Sequence, residues 1–377
     1  MKLKSLTIKG YKSINQEGAH LSFGDITVLL GANGVGKSNV VSFFSMLNYA
    51  MTGALQTFVA ERGFADSFLY FGSKNTRQIQ ASVAFLDNES TDCYDFTLTH
   101  AAGDILLFTE EKITYHKLST KTPYVITLNP AVRESDLLQI GKRENSSIND
   151  KKVASIVLSL LRKCRVFHFH DTTLNAKIRG QGYIEDNQYL NHDAGNLAAF
   201  LFRLKNNTET VRHYDRIVRY VQKAMPQFGD FELNPTETNN KYITLNWREK
   251  SNPAYLFGPH QISDGSLRFM ALATLFLQPT DLIPSVIVLD EPELGLHPSA
   301  IAYLAGMMKT ASQHSQIIVA TQSQRLVDEF EVDNIVVVEK HGNSTEFKRK
   351  TEADLGNWLE DYSLSELWEK NVLGGQP

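Results

Sequence analysis

The chain has 377 residues, 42% of them hydrophobic and 21% charged, which is typical of a globular protein large enough for two or three domains. Its net charge of −4 excludes the overall basic character of many nucleic-acid-binding proteins. No apolar run reaches the ~20 residues that cross a bilayer, and the N-terminus lacks the apolar core of a signal peptide. The two cysteines, Cys93 and Cys164, fit no metal-ligand spacing. We therefore expect a cytoplasmic protein with reduced thiols and no membrane contact.

The first 128 residues predict a strand-rich region with one early helix. Residues 2–9 alternate as a strand with one buried face, a short strand follows near 20–23, and the apolar run 26–30 indicates a buried strand. Helical spacing covers 39–47, and the stretch from 46 to 71 predicts the end of this helix and a loop. β-Branched and aromatic residues then predict an antiparallel meander of strands at 78–87, 94–100, 105–116 and 124–128.

Helical periodicity begins near residue 129. The middle of the chain predicts a loop at 141–150, a strand at 165–170, and helices at 130–138, 153–162, 194–204 and 209–225. Two strand candidates, 228–233 and 242–247, are separated by a turn-like stretch at 234–240. The last third alternates strands with helices, which predicts a parallel sheet with crossover helices. The strands are expected at 286–289, 317–320 and 335–338, and the helices at 266–277, 299–310, 352–360 and 364–370.

A glycine-rich loop lies between the strand at 26–30 and the helix that follows. It fits the P-loop pattern G-x-x-x-x-G-K-[ST] at every fixed position, in the strand–loop–helix context that the motif requires. Backbone amides of such a loop, together with the helix N-terminus, bind phosphate, so Lys37 is expected at the β- and γ-phosphates and the Ser38 hydroxyl on Mg²⁺. The predicted nucleotide-binding positions are Gly31, Ala32, Asn33, Gly34, Val35, Gly36, Lys37, Ser38 and Asn39.

Two carboxylates follow the apolar strand at 286–289, as in a Walker B motif. Asp290 is expected to hold Mg²⁺ through water, and Glu291 to polarise the attacking water, because phosphoryl transfer needs a positioned nucleophile and charge neutralisation. The alternative is a strand that stops at a solvated acidic turn. The P-loop elsewhere in the chain favours the catalytic interpretation.

A serine and a glycine precede the helix at 266–277. Ser263 and Gly265 resemble the signature sequence of ABC-type ATPases, which binds the γ-phosphate held by a second subunit. A plain helix N-cap is the alternative, since serine before an apolar helix is common. The position about 25 residues before the Walker B strand favours the signature.

The order P-loop, long insertion, signature and Walker B resembles the ABC ATPase superfamily, in particular its RecF/SMC/OLD-like branch. Leu294–Pro298 resembles the D-loop of that branch, and Gln322 occupies the switch position at which many ABC proteins have histidine. Glutamine can donate a hydrogen bond to the γ-phosphate but cannot accept a proton. The resemblance therefore implies a catalytic role for Gln322 and leaves the rate of ATP hydrolysis open. Phe71–Gly72 and Gln78–Gln80 are candidates for the Q-loop.

Further stretches resemble stand-alone bacterial ATPases of the AAA_21/AAA_15 group: 168–173, 193–199 and 373–377. The resemblance implies an α/β P-loop NTPase, an ABC-ATPase head with an antiparallel β lobe at 1–128, a mostly helical insertion at 129–227 and a C-terminal lobe at 228–377. It also implies ATP and Mg²⁺ as cofactors and a homodimer or higher homo-oligomer. The expected role is control of a nuclease or toxin effector in anti-phage defence or DNA maintenance, with DNA as a further candidate partner. A slow-turnover scaffold without DNA contact is the alternative.

Three side-chain groups leave alternatives open. His168, His170 and Asp171, with 192–193 nearby, suggest either a metal site or a packed strand end. Lys12 or Ser13 would contact nucleotide or belong to a solvated face. A basic cluster would bind nucleic-acid backbone or form an amphipathic helix surface: Arg203, Lys205, Arg212, Arg216, Arg219 and Lys223.

Overall fold

The computed structural model describes residues 1–236 and 239–376. The strands, in chain order, are β1 (Lys2–Lys9), β2 (Ala19–Ser22), β3 (Ile26–Leu30), β4 (Gln78–Leu86), β5 (Ser90–Ala101), β6 (Ile105–Lys117), β7 (Tyr124–Thr127), β8 (Cys164–Phe167), β9 (Gly182–Tyr183), β10 (Phe228–Glu232), β11 (Pro235–Thr236), β12 (Asn239–Ile243), β13 (Asn246–Glu249), β14 (Leu256–Phe257), β15 (Val286–Asp290), β16 (Gln316–Thr321), β17 (Ile335–His341) and β18 (Ser344–Arg349). The helices are α1 (Lys37–Ala50), α2 (Leu55–Glu61), α3 (Leu137–Ile140), α4 (Ile148–Arg162), α5 (Leu197–Asn206), α6 (Val211–Ala224), α7 (Asp264–Leu277), α8 (Pro298–Ala311), α9 (Gln324–Val327), α10 (Glu352–Leu355), α11 (Trp358–Asp361) and α12 (Leu364–Glu369).

Two six-stranded sheets organise the chain. The first has the order β2-β1-β4-β5-β6-β7 and is antiparallel throughout, so the predicted meander is confirmed. The second has the order β18-β17-β3-β16-β15-β8 and is parallel except for β18. Two three-stranded sheets, β10-β13-β14 and β11-β12-β9, lie in the middle of the sequence.

The parallel sheet is buried on both faces, as continuous apolar strands predict. Successive side chains of a strand point to opposite faces, so Val286 and Val288 join a core with α1 and the antiparallel sheet. Ile287 and Leu289 join a second core with the helices α5–α8. The parallel sheet therefore separates the β-rich region from the helical one, and α1 lies between the two large sheets.

Several predicted elements differ from the structure. The predicted helix at 130–138 is wrong except for α3, because Ala131 adopts a left-handed φ of 61° and Val132 bridges to Phe108 of β6. The strand predicted at 165–170 ends at Phe167, because the next amide, that of His168, donates to the His192 carbonyl at 2.8 Å.

Other differences concern pieces of the chain that the sequence pattern missed or that are only partly described. The hairpin strand β18 was not predicted, because few of its residues are apolar. Residues 237 and 238 of the predicted turn at 234–240 lie outside the described ranges. None of the described helices is long and apolar enough to span a bilayer.

Strands from different predicted domains share a sheet. The parallel sheet takes β3 from the range 1–128, β8 from the range 129–227, and its other four strands from the range 228–377. The division into an N-terminal lobe, an insertion and a C-terminal lobe stays a prediction. In the structure, the insertion range carries a strand that pairs directly with β15.

One buried glutamine connects the two large sheets. The Gln316 side-chain oxygen accepts from the Leu3 amide at 2.6 Å, and its Nε2 donates to the carbonyls of Leu3 at 2.9 Å and Gly24 at 3.0 Å. Only 4% of Gln316 is exposed, so water does not compete for these bonds. The first strand of the antiparallel sheet is thereby fixed to the start of β16.

We expect Gln316→Met to lower the free energy of unfolding by about 2–4 kcal/mol. The methionine has similar length but leaves the two buried backbone groups of Leu3 unpaired, each of which costs roughly 1–3 kcal/mol. The Gly24 carbonyl is more exposed and can bond to water instead. Urea denaturation followed by circular dichroism measures the change. Gln313→Met, at an exposed position after α8, is the matched control and should stay within about 0.5 kcal/mol of wild type. A loss no larger than that of the control would show that Gln316 does not join the sheets.

Candidate functional site

The glycine loop leads from β3 directly into α1, which begins at Lys37. The Lys37 ammonium folds back over the loop and donates to the carbonyls of Gly31 at 2.7 Å and Ala32 at 2.8 Å. Burial lowers the pKa of this amine, although the carboxylates that follow β15 act in the opposite direction. The amine therefore lies at the sheet edge, within the field of those carboxylates. Ser38, the next residue, is exposed.

Segments that are distant in sequence hold the P-loop in place. Gly36 has a φ of 113°, and a Cβ there would lie 2.3 Å from the Thr345 hydroxyl oxygen, so only glycine fits. The same hydroxyl donates to the Val35 carbonyl at 2.6 Å. Near the end of the chain, the Gly375 carbonyl accepts from the Ala32 amide at 3.0 Å. β18 and the C-terminal tail thus hold the loop in its curled form.

Two carboxylates lie where β15 ends. The Asp290 Oδ1 atom is buried and has no hydrogen-bond partner within the described ranges, which is costly for a carboxylate oxygen. An Mg²⁺ ion prefers oxygen ligands, so the unpartnered oxygen and the exposed Ser38 hydroxyl fit such an ion. Glu291 adopts a left-handed φ of 37°, and its amide donates to the Ala320 carbonyl of β16 at 2.8 Å. This unusual conformation for a non-glycine residue marks the turn as a candidate functional site.

A third carboxylate connects this turn to the switch segment. Glu293 is buried and accepts a short hydrogen bond from the Thr321 hydroxyl at the end of β16. The Thr321 hydroxyl oxygen also accepts from the Ser323 amide at 2.9 Å. Burial raises the pKa of Glu293 to about 7, and its Oε2 atom has no partner in the part of the chain that is described. Glu293 lies within the acidic run, but nothing in the sequence distinguished it from a solvated turn residue.

The predicted signature residues begin α7. Ser263 is the N-cap, and its hydroxyl accepts from the Ser266 amide at 3.2 Å while the side chain stays exposed. The N-cap interpretation is therefore correct for this bond, and it leaves the hydroxyl accessible. A Cβ on Gly265 would lie 2.2 Å from the Gly295 carbonyl oxygen, so the signature turn packs closely on the predicted D-loop.

Two buried arginines fix the signature turn from inside. Arg179 donates to the Ile262 carbonyl at 3.0 Å and to the Asp264 carboxylate at 2.6 Å. Arg268 of α7 donates to the carbonyls of Phe169 at 3.0 Å and His170 at 3.2 Å, which belong to the segment after β8. No sequence pattern indicated the role of Arg179, because its partners in this turn, Ile262 and Asp264, lie 83 and 85 residues away in the chain.

Gln322 follows β16 and lines an open cavity of about 650 Å³ beside the P-loop. Ala32 and Asn33 of the loop and Gln376 of the C-terminal tail line the same cavity. The structure thus brings the predicted switch residue next to the predicted phosphate loop.

The remaining candidates lie as follows. The described residues contain no cluster of three or more His, Cys, Asp or Glu side chains that could hold a metal ion, so the metal interpretation of His168 and His170 finds no support. Lys12 donates to the Ser42 hydroxyl at 2.7 Å, and burial lowers the pKa of its amine to about 8. The Ser13 hydroxyl accepts from the side-chain Nδ2 of Asn39 at 2.6 Å and so supports the start of α1.

The Q-loop candidates and the basic cluster also have defined positions. Residues 78–80 belong to β4, which pairs with β1 and β5 in the antiparallel sheet. They therefore do not follow β8, the strand that pairs with β15, and the segment after β8 begins at His168. In the basic cluster, Lys205 pairs with Asp230 at 3.0 Å and Arg203 donates to two backbone carbonyls. Both residues therefore have structural partners.

The geometry of this sheet edge is that of a P-loop ATPase, and comparison with solved structures supports that class. The fold is similar to the Smc head bound to the C-terminal winged-helix domain of ScpA, with a TM-score of 0.60, 15% identity, and coverage of 98% of this chain and 100% of that chain. It is also similar to the Smc head with an extended coiled coil bound to the C-terminal domain of ScpA from Pyrococcus furiosus, with a TM-score of 0.57, 14% identity, and coverage of 96% and 99%. At such identities the likeness establishes the fold alone.

The sequence places the chain more narrowly. A family model described as "AAA domain, putative AbiEii toxin, Type IV TA system" matches residues 26–328, from the P-loop strand to just beyond the switch segment. The chain belongs to this AAA_21 family of SMC-like ATPases. No curated protein matches the sequence.

We expect Glu293→Gln to stabilise the protein increasingly as the pH rises from 5 to 8 in the absence of nucleotide and Mg²⁺. The pKa of Glu293 is raised from 4.5 to about 7 in the folded state, so its favourable contribution is complete below pH 4.5 and is lost as the pH rises to 7. Glutamine does not ionise, and the difference should approach roughly 3 kcal/mol at 1.36 kcal/mol per pKa unit. Chemical denaturation at a series of pH values measures it. A difference that stays constant with pH would contradict the burial of an ionisable carboxyl here.

Proposed function

We propose that two copies of this chain close around two ATP molecules, hydrolyse them slowly, and thereby control a separate effector protein. The observation that carries the proposal is the shared sheet edge at which Lys37, Asp290 and Gln322 follow strands of one parallel sheet. The exposed hydroxyl of Ser263 adds to it. Phosphate- and metal-binding groups gather at this edge, and a rigid, exposed signature turn is suited to complete the same site on a second copy.

Each site in this proposal joins residues of two subunits. The amides of the loop Gly31–Ser38 and the Lys37 ammonium bind the phosphates, and Ser263 and Gly265 of the partner subunit bind the γ-phosphate from the opposite side. Mg²⁺, held by Ser38 and Asp290, would neutralise phosphate charge. Glu291 orients the attacking water and accepts its proton.

The switch residue sets the rate in this scheme. The Gln322 side chain donates a hydrogen bond to the γ-phosphate but cannot take a proton, so Glu291 is left as the general base. Turnover is therefore slow, and ATP serves mainly to hold the two copies together. Glu293, through Thr321, positions the segment that carries Gln322.

We expect Glu291→Gln to trap a dimer in the presence of ATP and Mg²⁺. The variant keeps the hydrogen-bonding shape of the side chain but loses the proton acceptor, so bound ATP is not consumed. Size-exclusion chromatography with light scattering should show the mass doubling from 42.4 kDa.

Ser263→Arg in the Glu291→Gln background is the control for this experiment. It blocks the face offered to the second copy, and it leaves the P-loop intact. This double variant should bind ATP as a monomer. A Glu291→Gln variant that stays monomeric with ATP and Mg²⁺ would overturn the composite site.

The biological task proposed here is that of an accessory ATPase in bacterial defence or DNA maintenance, which holds nucleic acid and regulates a nuclease or toxin. The family description, which names a putative toxin of a Type IV toxin–antitoxin system, supports a role in such a system. The structural neighbours, Smc heads bound to ScpA, are ATPase heads that carry another protein. The second candidate is an assembly scaffold with the same slow turnover that makes no contact with DNA.

A basic cleft of about 760 Å³ beside β8 favours the nucleic-acid version. Its three arginines are held in place: the Arg62 guanidinium lies 4.1 Å from the Phe58 ring centre, and Arg165 lies 5.7 Å from that of Tyr189. The Arg162 Nε donates to a backbone carbonyl at 2.9 Å. The cleft is also lined by His168, His170, His192, Asp171 and Asp193.

These arginines are available for an anionic ligand. No ion pair engages Arg162 or Arg165 within the described residues, and Arg62 has only a 3.8 Å contact with Glu61. Of the two carboxylates in the cleft, Asp193 already pairs with Lys177 at 3.0 Å. A planar guanidinium group can donate two parallel hydrogen bonds to the oxygens of one phosphate. The cleft therefore suits a nucleic-acid backbone.

We expect the double variant Arg162→Gln/Arg165→Gln to bind a fluorescent single-stranded oligonucleotide at least about tenfold more weakly at low salt, because two phosphate contacts are lost. The slope of log affinity against log salt, measured by anisotropy, should fall by about 1.5. Arg212→Gln/Arg219→Gln on the exposed face of α6 is the matched control and should bind like wild type. If wild type does not retain DNA at low salt, the scaffold function is favoured instead.

A further inference from the structure

A third cavity lies along the antiparallel sheet, where α4 covers the ends of β5, β6 and β7. Its volume is about 330 Å³, at the small end of ligand pockets. The cavity is lined by Asp92, Tyr115, Tyr124, Asn149, Lys152, Val153 and Ile156. None of these residues belongs to the nucleotide site.

A carboxylate without a partner lies in this cavity. Only 2% of Asp92 is exposed, and its Oδ1 atom is buried without a hydrogen-bond partner among the described residues. Burying such a group without compensation costs free energy, and a protein would tolerate it most readily where a cation can reach it. One carboxylate is too few oxygen ligands for Ca²⁺ or Mg²⁺, so a metal ion does not fit.

The other walls suit an organic cation. Asp92 lies opposite Tyr115 on β6, and Tyr115 lies opposite Tyr124 on β7, so the three side chains form one row on the same face of the sheet. The Tyr124 hydroxyl donates to Asp150 of α4 at 2.7 Å, which holds its ring in position. Aromatic rings beside a carboxylate attract an ammonium or guanidinium group through their faces.

The rim of the cavity is apolar and lies at a free sheet edge. Val153 and Ile156 of α4 line it, and Ile156 is 43% exposed. β7 is the last strand of the antiparallel sheet, and its outer edge pairs with no other described strand. The side chain of a partner protein would enter past the exposed Tyr124 ring, because β6 and β7 separate the free edge from Asp92.

We propose that this cavity receives the lysine or arginine side chain of an otherwise apolar segment of a partner protein. The buried carboxylate takes the charge, the tyrosine rings flank it, and the apolar rim takes the neighbouring side chains. The partner's role as effector rests on the proposed function, whereas the cation site itself does not use nucleotide.

Lys152 is the competing occupant from within the chain. It is exposed at the mouth of the cavity, and no ion pair joins it to Asp92 in the structure. Its own ammonium would satisfy Asp92 if it turned inward. The test therefore includes a variant that removes it.

Three blocked tripeptides serve as probes for the wild-type chain: acetyl-Val-Lys-Val-amide, acetyl-Val-Arg-Val-amide, and the neutral acetyl-Val-norleucine-Val-amide. We expect nuclear magnetic resonance titration to show the two cationic peptides binding at least about tenfold more tightly than the neutral one, which corresponds to 1.4 kcal/mol. Asp92→Asn should abolish this preference without lowering the melting temperature. Asp95→Asn is the matched control, because Asp95 lies on the opposite face of β5 and contacts Lys112 at 3.7 Å, and it should keep the preference.

Several outcomes would overturn the cation site. These are equal binding of the neutral peptide, no binding of any peptide to wild type at millimolar concentration, and an undiminished preference in Asp92→Asn. A double-mutant cycle of stability that shows coupling between Asp92→Asn and Lys152→Met would identify Lys152 as the occupant of the cavity. That result would also reject the proposed site for a partner's cation. Adding Asp92→Asn to Glu291→Gln should leave the ATP-trapped dimer intact, so a failure of this site and a failure of the ATP switch are distinguishable.

Discussion

The nucleotide site depends on the register of the parallel sheet. Leu30 of β3 lies opposite Thr321 of β16, and Ala320 lies opposite Asp290 of β15, so three strands end at one edge. Both faces of these strands are buried in different cores, and a shift by one residue would exchange every side chain between them. Apolar packing that never touches nucleotide therefore determines where the P-loop, the acidic turn and the switch segment meet.

The sequence was informative where the decisive pattern was short. The P-loop and the acidic turn each lie within a few residues beside a buried strand, so local spacing was enough to predict them. The contact of Glu293 with Thr321 joins residues 28 positions apart, and those of Arg179 with the predicted signature turn join residues 83 and 85 positions apart. No local pattern encodes these contacts. The prediction of a helix at 130–138 was wrong for a related reason. The apolar residues of this segment pack against β6, and their spacing comes from that contact instead of from a helical turn.

α4 is the element that both candidate surfaces share. It carries Lys152 and Ile156 at the cation cavity, and its last residue, Arg162, lines the basic cleft. β8 follows one residue after the helix and pairs with β15, the strand that ends in Asp290. The two surfaces and the acidic turn are thus connected by one helix and one strand pair. Any movement of β8 upon nucleotide binding would act on α4 directly.

The support of the P-loop has a consequence for the newly made protein. Residues 31–38 leave the ribosome early, but the Thr345 hydroxyl that supports Val35 lies 310 residues further along, and Gly375 follows later still. During synthesis the P-loop therefore lacks its hydrogen bonds with Thr345 and Gly375, and its amides are not yet arranged for phosphate. The phosphate-binding shape of this early segment is therefore completed only by residues that are made more than 300 positions later.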